Sequence, residues 1–305
     1  MIIHRVDFHQ RKTLFSRYST HPILLDHTGW YSVTPEKIAN HIADRCRCDT
    51  VLDGFAGVGG NLIAFAWTCE RVIAIDTSMD RLRIARHNAM QYGVADRIEF
   101  ICADYVEFVE AWARRKQRQR EEKGQMEAVV GLGEEVDVVF LSPPWGESSS
   151  LPEYEPDVEL MKAFRCVLSG GTDYLAATDT TTDPDASFAI PNHLPSFPLS
   201  TLLPLPAKEL YDLTRKMTPN IAFYLPRNTD PNEVAEWADE TPLVEDDPTV
   251  GGKEWVEVEE EWMGWAKEDP FSSKNKRRSV GKKGADGKLK AITAYFGGLA
   301  GQGEV

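Results

Sequence analysis

Residues 50–61 read TVLDGFAGVGGN, a short apolar run that ends in an acidic residue and passes into a glycine-rich stretch. A run of this length bounded by glycine is typical of a buried strand, and the NLIAFAWTC that follows has helical periodicity. Glycines let a backbone turn tightly and approach a ligand, and a helix N-terminus offers free amide donors. The stretch therefore predicts a strand, a ligand-binding loop and a helix.

Six further segments have the composition of strands. They are RVIAID (71–76), IEFICAD (98–104), VDVVFLSPPW (136–145), NIAFYLP (220–226), WVEVEEEWM (255–263) and KLKAITAYFG (288–297). Segments of helical period separate the first four strands, which is the pattern of a parallel sheet with helices on both faces. The last two segments alternate and predict an antiparallel edge hairpin. The expected fold is α/β, with a doubly wound, mostly parallel, seven-stranded Rossmann-like sheet.

The rest of the chain is predicted to surround this sheet. Residues 1–48 are expected to form a small helical extension that covers the active site, with Thr34 and Pro35 as the N-cap and first position of a helix over 36–48. The main domain is predicted over 49–298, followed by a tail over 299–305. Surface insertions are predicted near 113–135, 147–206 and 264–287, and the charged run that begins the first is expected to extend a helix.

The composition limits the class of protein. Among 305 residues, 42% are hydrophobic, which excludes a wholly disordered chain. No apolar run approaches the roughly 18 residues of a membrane-spanning helix, so a soluble protein is expected. Five cysteines without C-x-x-C spacing argue against a disulfide framework and a zinc site, and favour an intracellular setting. Cys69 and Cys102 are expected to be core side chains.

The charge distribution leaves the question of a nucleic-acid partner open. The net charge of −14 argues mildly against one, because phosphate binding depends on lysine and arginine. The segment from Lys274 to Lys290, however, contains eight basic residues and one acidic residue. This cluster is compatible with RNA binding, a nuclear-localisation signal or a solvated loop.

Three acidic residues end successive predicted strands: Asp53, Asp76 and Asp104. Asp76 follows Asp53 by 23 residues, near the offset of about 20 at which an acid binds a ribose hydroxyl. Asp104 suits an adenine amine, although each acid alone is also a common helix cap. The D-x-F-x-G-x-G loop suits a ligand with a positive sulfonium and an α-amino group. Because ligands bind beyond the carboxyl ends of such strands, the constellation predicts S-adenosylmethionine.

The segment Ser142-Pro143-Pro144-Trp145 ends the fourth predicted strand. Proline fixes its own φ and restricts the residue before it, so this backbone is rigid and extended. Its carbonyls can accept hydrogen bonds from an amine, and Trp145 offers a stacking face for a planar base. A turn with a core tryptophan is the alternative. Together with the cofactor prediction, the segment indicates methylation of an exocyclic amine.

Taken together, these motifs resemble the trimethylguanosine synthase family. The similar segments are LFSR (14–17), GWYSVTPEKIA (29–39), DGFAGVGGN (53–61), SPPW (142–145), IAFYLPRN (221–228) and KLKAITAYFG (288–297). They extend over residues 9–298 outside the insertions. The resemblance implies a methyltransferase that makes two successive transfers from S-adenosyl-L-methionine to the 2-amino group of a 7-methylguanosine RNA cap. The products are 2,2,7-trimethylguanosine and S-adenosyl-L-homocysteine.

The resemblance also implies roles for individual residues. The expected catalytic residues are Ser142, Pro143 and Trp145. The expected cofactor-binding residues are Thr34, Pro35, Asp53, Phe55, Gly57, Gly59, Asn61, Asp76 and Asp104. Phe15, Trp145 and Arg227 are expected to bind the cap, and no metal ligand is expected. Two departures from the family pattern, Glu147 after the SPPW segment and Val6 in place of a lysine, bear on cap binding.

The same resemblance implies capped small nuclear and nucleolar RNAs (snRNA and snoRNA) as partners, together with snRNP or snoRNP proteins. The expected location is the nucleus, including the nucleolus, and a monomer without membrane contact is expected. Two alternatives remain open. One is an enzyme that methylates guanine 2-amino groups inside ribosomal or transfer RNA, and the other is a non-catalytic cap-binding module with the same fold.

Overall fold

The computed structural model describes residues 10–123, 136–145, 196–240, 256–263 and 288–301, and its centre is a seven-stranded sheet. The strands are β1 (Thr50–Asp53), β2 (Arg71–Asp76), β3 (Ile98–Cys102), β4 (Val138–Leu141), β5 (Ile221–Pro226), β6 (Val256–Met263) and β7 (Lys288–Phe296). Their order is β3-β2-β1-β4-β5-β7-β6. Neighbours from β3 to β5 are parallel, and β7 is antiparallel to β5 and β6. The predicted α/β sheet and its antiparallel hairpin are confirmed, with β6 at the edge.

Helices cover both faces of this sheet. Those in the described residues are α1 (Arg11–Leu14), α2 (Gly29–Ser32), α3 (Glu36–Arg45), α4 (Gly60–Thr68), α5 (Met79–Tyr92), α6 (Tyr105–Lys123), α7 (Ala207–Thr214) and α8 (Pro231–Glu240). Helices α3, α4 and α5 pack into the core on one face, and α6, α7 and α8 pack into the core on the other. The sheet is therefore doubly wound.

Strand β1 shows why the central strands are continuously apolar. Val51 points into the core beneath α3 to α5, and Leu52 points into the core beneath α6 to α8. Both side chains are fully buried. A strand covered on both faces needs apolar residues at every position rather than at alternate ones.

Helix α3 begins later than the sequence predicts. It starts at Glu36, with Pro35 as the N-cap, and ends at Arg45. Thr34 does not cap it: the Thr34 hydroxyl accepts a hydrogen bond from the Asn61 side chain at 3.0 Å. The capping prediction was wrong because Pro35 has an extended ψ of 135°, which leaves it just outside the helix.

The predicted insertions are described only in part. Helix α6 continues to Lys123, which confirms the helical start of the first insertion. Residues 124–135, 146–195 and 264–287 lie outside the described residues, and so does the basic cluster up to residue 287. At the end of the second predicted insertion, residues 196–206 place Leu199 and Leu202 in the core. The domain boundaries stay predictions.

The cysteines divide between core and surface. Cys69 is buried, as predicted, but Cys102 is exposed, so the prediction for Cys102 was wrong. Cys102 is the last residue of β3, which is the edge strand of the sheet formed by the described residues. The four cysteines in the described residues are free thiols. Within the same residues, no helix is both long and apolar enough to cross a membrane.

Candidate active site

The glycine-rich loop and the SPPW segment leave the sheet side by side. From β1 the chain adds β2 and β3 on one side of the sheet. It then returns to the other side of β1 with β4 and β5, so the strand order reverses between β1 and β4. Asp53 lies opposite Phe140, and the Gly54 amide donates to the Phe140 carbonyl at 3.1 Å. Ligands of open α/β sheets bind beyond the carboxyl ends of the strands at such a reversal. The candidate site therefore lies at this point.

The glycine-rich loop leaves open space beside Gly57. Gly57 and Gly59 have φ values of +53° and +95°, which favour glycine. A Cβ on Gly57 would have the Phe55 carbonyl, 4.0 Å away, as its nearest neighbour. A Cβ on Gly59 would instead lie 3.1 Å from Ala85 of α5. Gly59 is thus required for helix packing, whereas Gly57 borders a space that a ligand can fill.

Asp76 holds this loop in shape. One carboxylate oxygen accepts from the Gly57 amide at 2.9 Å, and the other accepts from the Ser78 amide at 2.8 Å. The Asp76 side chain is 9% exposed. Hydrogen bonds from backbone amides to a carboxylate are among the stronger ones in proteins. Asp76 therefore joins the end of β2 to the loop that follows β1.

Asp53 places a buried carboxyl at the centre of the site. It is 1% exposed, and one of its oxygens accepts from the Phe55 amide at 3.0 Å. Burial, with a smaller contribution from the charge of Asp76, raises the pKa of Asp53 to about 7. A cation placed beside Asp53 would stabilise its ionised form and lower this pKa.

Asn61 and Thr34 connect the loop to the N-terminal segment. Asn61 is the second residue of α4, and its side-chain NH₂ donates to Thr34. Its side-chain oxygen is buried and has no hydrogen-bond partner among the described residues. A Cβ on Gly60 would lie 2.6 Å from Val33, so the segment before Pro35 packs directly on the loop. The N-terminal segment thus forms one wall of the site.

Trp145 stands half-buried at the end of the SPPW segment. Its ring lies 5.7 Å from the ring of Tyr224, at an interplanar angle of 32°. Pro143 is buried and Ser142 is half-buried. The Pro144 carbonyl accepts from the Leu203 amide at 3.3 Å, which anchors the segment to the end of the second predicted insertion. The indole is therefore held at the site with part of its surface accessible.

Comparison with known proteins connects this geometry to a family. The family model described as RNA cap guanine-N2 methyltransferase matches residues 48–166. The chain is 30% identical to the trimethylguanosine synthase of Schizosaccharomyces pombe over 235 residues, which are 75% of this chain and 73% of that protein. The chain belongs to the trimethylguanosine synthase family.

Other proteins show weaker similarity. The chain is 26% identical to the trimethylguanosine synthase of Saccharomyces cerevisiae over 230 residues, covering 74% of this chain and 55% of that protein. The chain thus spans little more than half of that relative. A solved structure of an S-adenosylmethionine-dependent methyltransferase from Agrobacterium tumefaciens aligns with 87% of this chain and 63% of its own, at 15% identity and a TM-score of 0.44.

The residues present fit the cofactor that the trimethylguanosine synthase family implies. S-Adenosylmethionine carries a sulfonium, an α-amino group and ribose hydroxyls. Asp53 offers a buried carboxyl to a cation, and Gly57 borders open space. Asn61 offers a buried oxygen to which no described residue donates a hydrogen bond. Phe55, whose ring lies 5.4 Å from that of Tyr105, contributes an aromatic face beside the loop. Asp53 and Asn61 thus offer acceptor oxygens that suit the sulfonium and the α-amino group of this cofactor.

Two further predicted residues at this edge of the sheet are Asp104 and Arg227. Asp104 is a helix cap: one carboxylate oxygen accepts from the Val106 and Glu107 amides at 2.8 and 3.1 Å. Its adenine contact stays a prediction. Arg227 is exposed and directly follows β5, so it lies at the same edge of the sheet as Trp145. Its cap contact also stays a prediction.

Phe15 lies in the core on the α3–α5 side of the sheet. It is 2% exposed, and its ring lies 6.3 Å from that of Tyr92. With Glu36 and Trp67 it lines a cavity of about 360 Å³ between the N-terminal segment and helices α3 and α4. Its neighbour Arg17 donates to the Gln91 carbonyl at 2.7 Å. The structure thus gives the LFSR segment packing contacts, and the cap contact of Phe15 stays a prediction.

Sequence reasoning missed Tyr224. This residue is near the end of β5, is 6% exposed, and packs against Trp145. Its position in IAFYLP marks it as a strand residue. Only the adjacency of β4 and β5 shows that its ring reaches the SPPW segment.

Asp53 gives the site a testable pH dependence. Because its pKa is about 7, the carboxyl becomes protonated and neutral as the pH falls through 7. A cationic ligand binds best to the ionised form, so we expect the dissociation constant of S-adenosylmethionine to rise by up to about tenfold per pH unit below 7. Calorimetric titrations on either side of pH 7 measure this. An Asp53→Asn variant should bind weakly at every pH, and a flat profile in the wild type would contradict the assignment.

Proposed function

We propose that this protein converts the 7-methylguanosine cap of RNA to 2,2,7-trimethylguanosine, by two successive transfers from S-adenosylmethionine to the 2-amino group. The observation that carries the proposal is the position of the SPPW segment beside the glycine-rich loop, where Gly54 bonds to Phe140 at the reversal of strand order. This position brings a methyl donor on the loop next to an amine held by the segment.

In this proposal Trp145 binds the methylated base. A methyl group at the 7 position leaves guanine cationic, and the face of an indole attracts a cation by about 0.5–2 kcal/mol beyond ordinary stacking. Trp145 is half-buried, and its ring lies 5.7 Å from that of Tyr224, so the indole is held in place while part of its surface stays accessible. Stacking on Trp145 would therefore favour a guanine that already carries its 7-methyl group.

Ser142 and Pro143 hold the target amine. Their backbone is extended and restrained by two consecutive prolines, so its acceptors keep one orientation. S-Adenosylmethionine, when bound, supplies the activated methyl group. Transfer of that group to the amine nitrogen would form the nitrogen–carbon bond as the carbon–sulfur bond breaks, and the amine proton would leave to solvent. The protein contributes mainly by placing the amine in line and by a matched electrostatic pocket.

The second transfer uses the same contacts. After one transfer the amine keeps one hydrogen and its lone pair, so the acceptors of the SPPW segment can hold it again.

We extend the proposal to capped snRNA and snoRNA as substrates, with snRNP or snoRNP proteins as partners, and to action in the nucleus. Membership of the trimethylguanosine synthase family supports this extension.

The position of the new methyl groups tests this function. The protein is incubated with S-adenosylmethionine and a short capped RNA that also contains guanines downstream of the cap. The RNA is then digested with nuclease, and the masses of the released nucleotides are measured by mass spectrometry. We expect one and then two methyl groups on the cap nucleotide and none on the body. Methyl groups on body guanines alone would identify an enzyme for internal RNA sites. Cap binding without any transfer would identify a non-catalytic module.

A further inference from the structure

The edge strand β6 carries a row of carboxylates that faces helix α3. Glu257, Glu259 and Glu261 are at alternate positions of this strand, so their side chains lie on the same face of the sheet. Arg45 of α3 pairs with Glu257 at 2.8 Å and with one oxygen of Glu259. His41, one turn earlier on the same helix, has its Nε2 atom 2.7 Å from the other oxygen of Glu259. Charged side chains thus connect α3 to the edge of the sheet.

Three of these side chains converge on one point. One ligand atom from each of His41, Glu259 and Glu261 lies within 4.8 Å of the other two. Zinc binds nitrogen and oxygen ligands at about 2.0–2.2 Å, so the ligand atoms of a tetrahedral zinc ion are roughly 3.4 Å apart. Small movements of the side chains would therefore bring all three atoms onto one ion.

Glu261 is the most deeply buried of the three. It is 1% exposed, and the Thr293 hydroxyl donates to its Oε1 atom at 2.7 Å. Among the described residues, no donor forms a hydrogen bond to its other oxygen. A buried carboxylate is costly unless it is paired or coordinates a metal ion. Glu261 therefore offers an unfilled position to a cation.

The charges around this point are unbalanced. When ionised, Glu257, Glu259 and Glu261 carry three negative charges, and Arg45 is the single guanidinium that pairs with this row. With His41 neutral, which is the form that binds metal ions, the excess is two negative charges. A divalent cation between His41 and the two nearer carboxylates would remove this excess.

We propose that His41, Glu259 and Glu261 form a binding site for a divalent transition-metal ion, with Zn²⁺ as the expected occupant. Zinc accepts imidazole nitrogen together with carboxylate oxygen, whereas Mg²⁺ and Ca²⁺ prefer oxygen ligands alone. Arg45 holds one oxygen of Glu259, and Thr293 holds one oxygen of Glu261, so residues outside the ligand set orient both carboxylates. His41 and Glu259 are partly exposed, which gives the ion a path from solvent and leaves room for a water ligand.

A zinc ion at this position joins the N-terminal part of the chain to the sheet. Helix α3 directly follows Pro35, the residue after Thr34, whose hydroxyl bonds to Asn61 beside the glycine-rich loop. The ligands come from α3 and β6, and His41 and Glu259 are 218 residues apart. Motif spacing in the sequence therefore could not predict this site. The inference does not depend on the proposed function.

Calorimetric titration of the chelator-treated protein with Zn²⁺ tests the site. We expect one ion per chain, and a melting temperature raised by roughly 5–10 °C at a zinc concentration about a hundred times the dissociation constant. Mg²⁺ and Ca²⁺ should give no comparable shift. Absence of zinc binding would overturn the proposal, and equal stabilisation by Mg²⁺ or Ca²⁺ would refute zinc as the occupant.

Two conservative substitutions place the ion. His41→Gln removes the nitrogen ligand and keeps a donor for Glu259, and Glu261→Gln removes the charge and keeps an acceptor for Thr293. Loss of a partner outside the ligand set costs about 10–100-fold in metal affinity, so we expect each variant to bind zinc at least about a hundredfold more weakly. Unchanged affinity in either variant would overturn the proposal, because the ion would then lie elsewhere.

His27→Gln and Glu99→Gln are the matched controls. His27 is exposed and its ring lies 5.3 Å from that of Tyr31, and Glu99 is an exposed residue of β3 that pairs with Arg71. Both lie outside the proposed ligand set, so we expect wild-type zinc affinity in each. An equal loss of affinity in these controls and in His41→Gln would show non-specific binding and would also overturn the proposal.

Discussion

Replacement of Trp145 by alanine is expected to lower kcat/KM for cap methylation by at least about a hundredfold. Stacking on an aromatic side chain contributes about 1–3 kcal/mol per base, and misplacement of a reacting group by about 1 Å can cost a further hundredfold. Cofactor affinity should change little, because Asp53, Asp76 and Asn61 lie on other elements. Initial rates with 7-methylguanosine triphosphate and calorimetry with S-adenosylmethionine measure the two effects.

Trp67→Ala is the control for this variant. Trp67 lies on α4, is 57% exposed, and faces the cavity that also contains Phe15. Its loss removes an indole of the same size without touching the SPPW segment. We expect wild-type rates. Loss of cofactor binding in Trp145→Ala, or equal loss of activity in both variants, would show that Trp145 is not a dedicated base platform.

Replacement of Asp76 by alanine is expected to weaken S-adenosylmethionine binding by about 2–3 kcal/mol, or roughly a hundredfold, the value of lost hydrogen bonds to a charged group. The structure adds a second cause: Asp76 accepts from both Gly57 and Ser78, so its removal also loosens the loop. Asp76→Asn keeps an acceptor oxygen and loses the charge, and we expect an intermediate loss of affinity. Calorimetric titration gives each dissociation constant.

Asp80→Ala controls for loss of an acidic residue nearby in the sequence. Asp80 lies at the start of α5, its side chain is 86% exposed, and it pairs with Arg83 at 3.1 Å. We expect its cofactor affinity to match wild type, since surface ion pairs of this kind contribute little. A dissociation constant in Asp76→Ala equal to that of Asp80→Ala would remove Asp76 from the cofactor site.

The sheet and the cofactor loop could be predicted because their determinants are local. Apolar runs with intervening helical periods specify a parallel doubly wound sheet, and an acid at the end of one strand followed by glycines specifies the loop. Asp53, Gly57 and Asp76 are therefore at the predicted edge. Thr34 and Asn61 also meet, although their contact joins segments 27 residues apart.

The remaining features depend on which distant segments become neighbours. Tyr224 reaches Trp145 only because β5 pairs with β4, and no local sequence pattern predicts which strands pair. Asp53 and Asp76 are the last residues of their strands, whereas Asp104 lies beyond the end of β3 at Cys102, and its carboxylate caps the helix that follows at once. Cys102 has an apolar neighbourhood in sequence, but its strand is at an edge.

In the proposed function, a cationic guanine stacked on Trp145 presents its 2-amino group to the cofactor. The most direct test is mass spectrometry of products from 7-methylguanosine triphosphate and, in parallel, from unmethylated GTP. We expect masses increased by one and then two methyl groups for the methylated substrate, and no product from GTP. Equal methylation of both substrates, or no transfer to either while S-adenosylmethionine still binds, would contradict it.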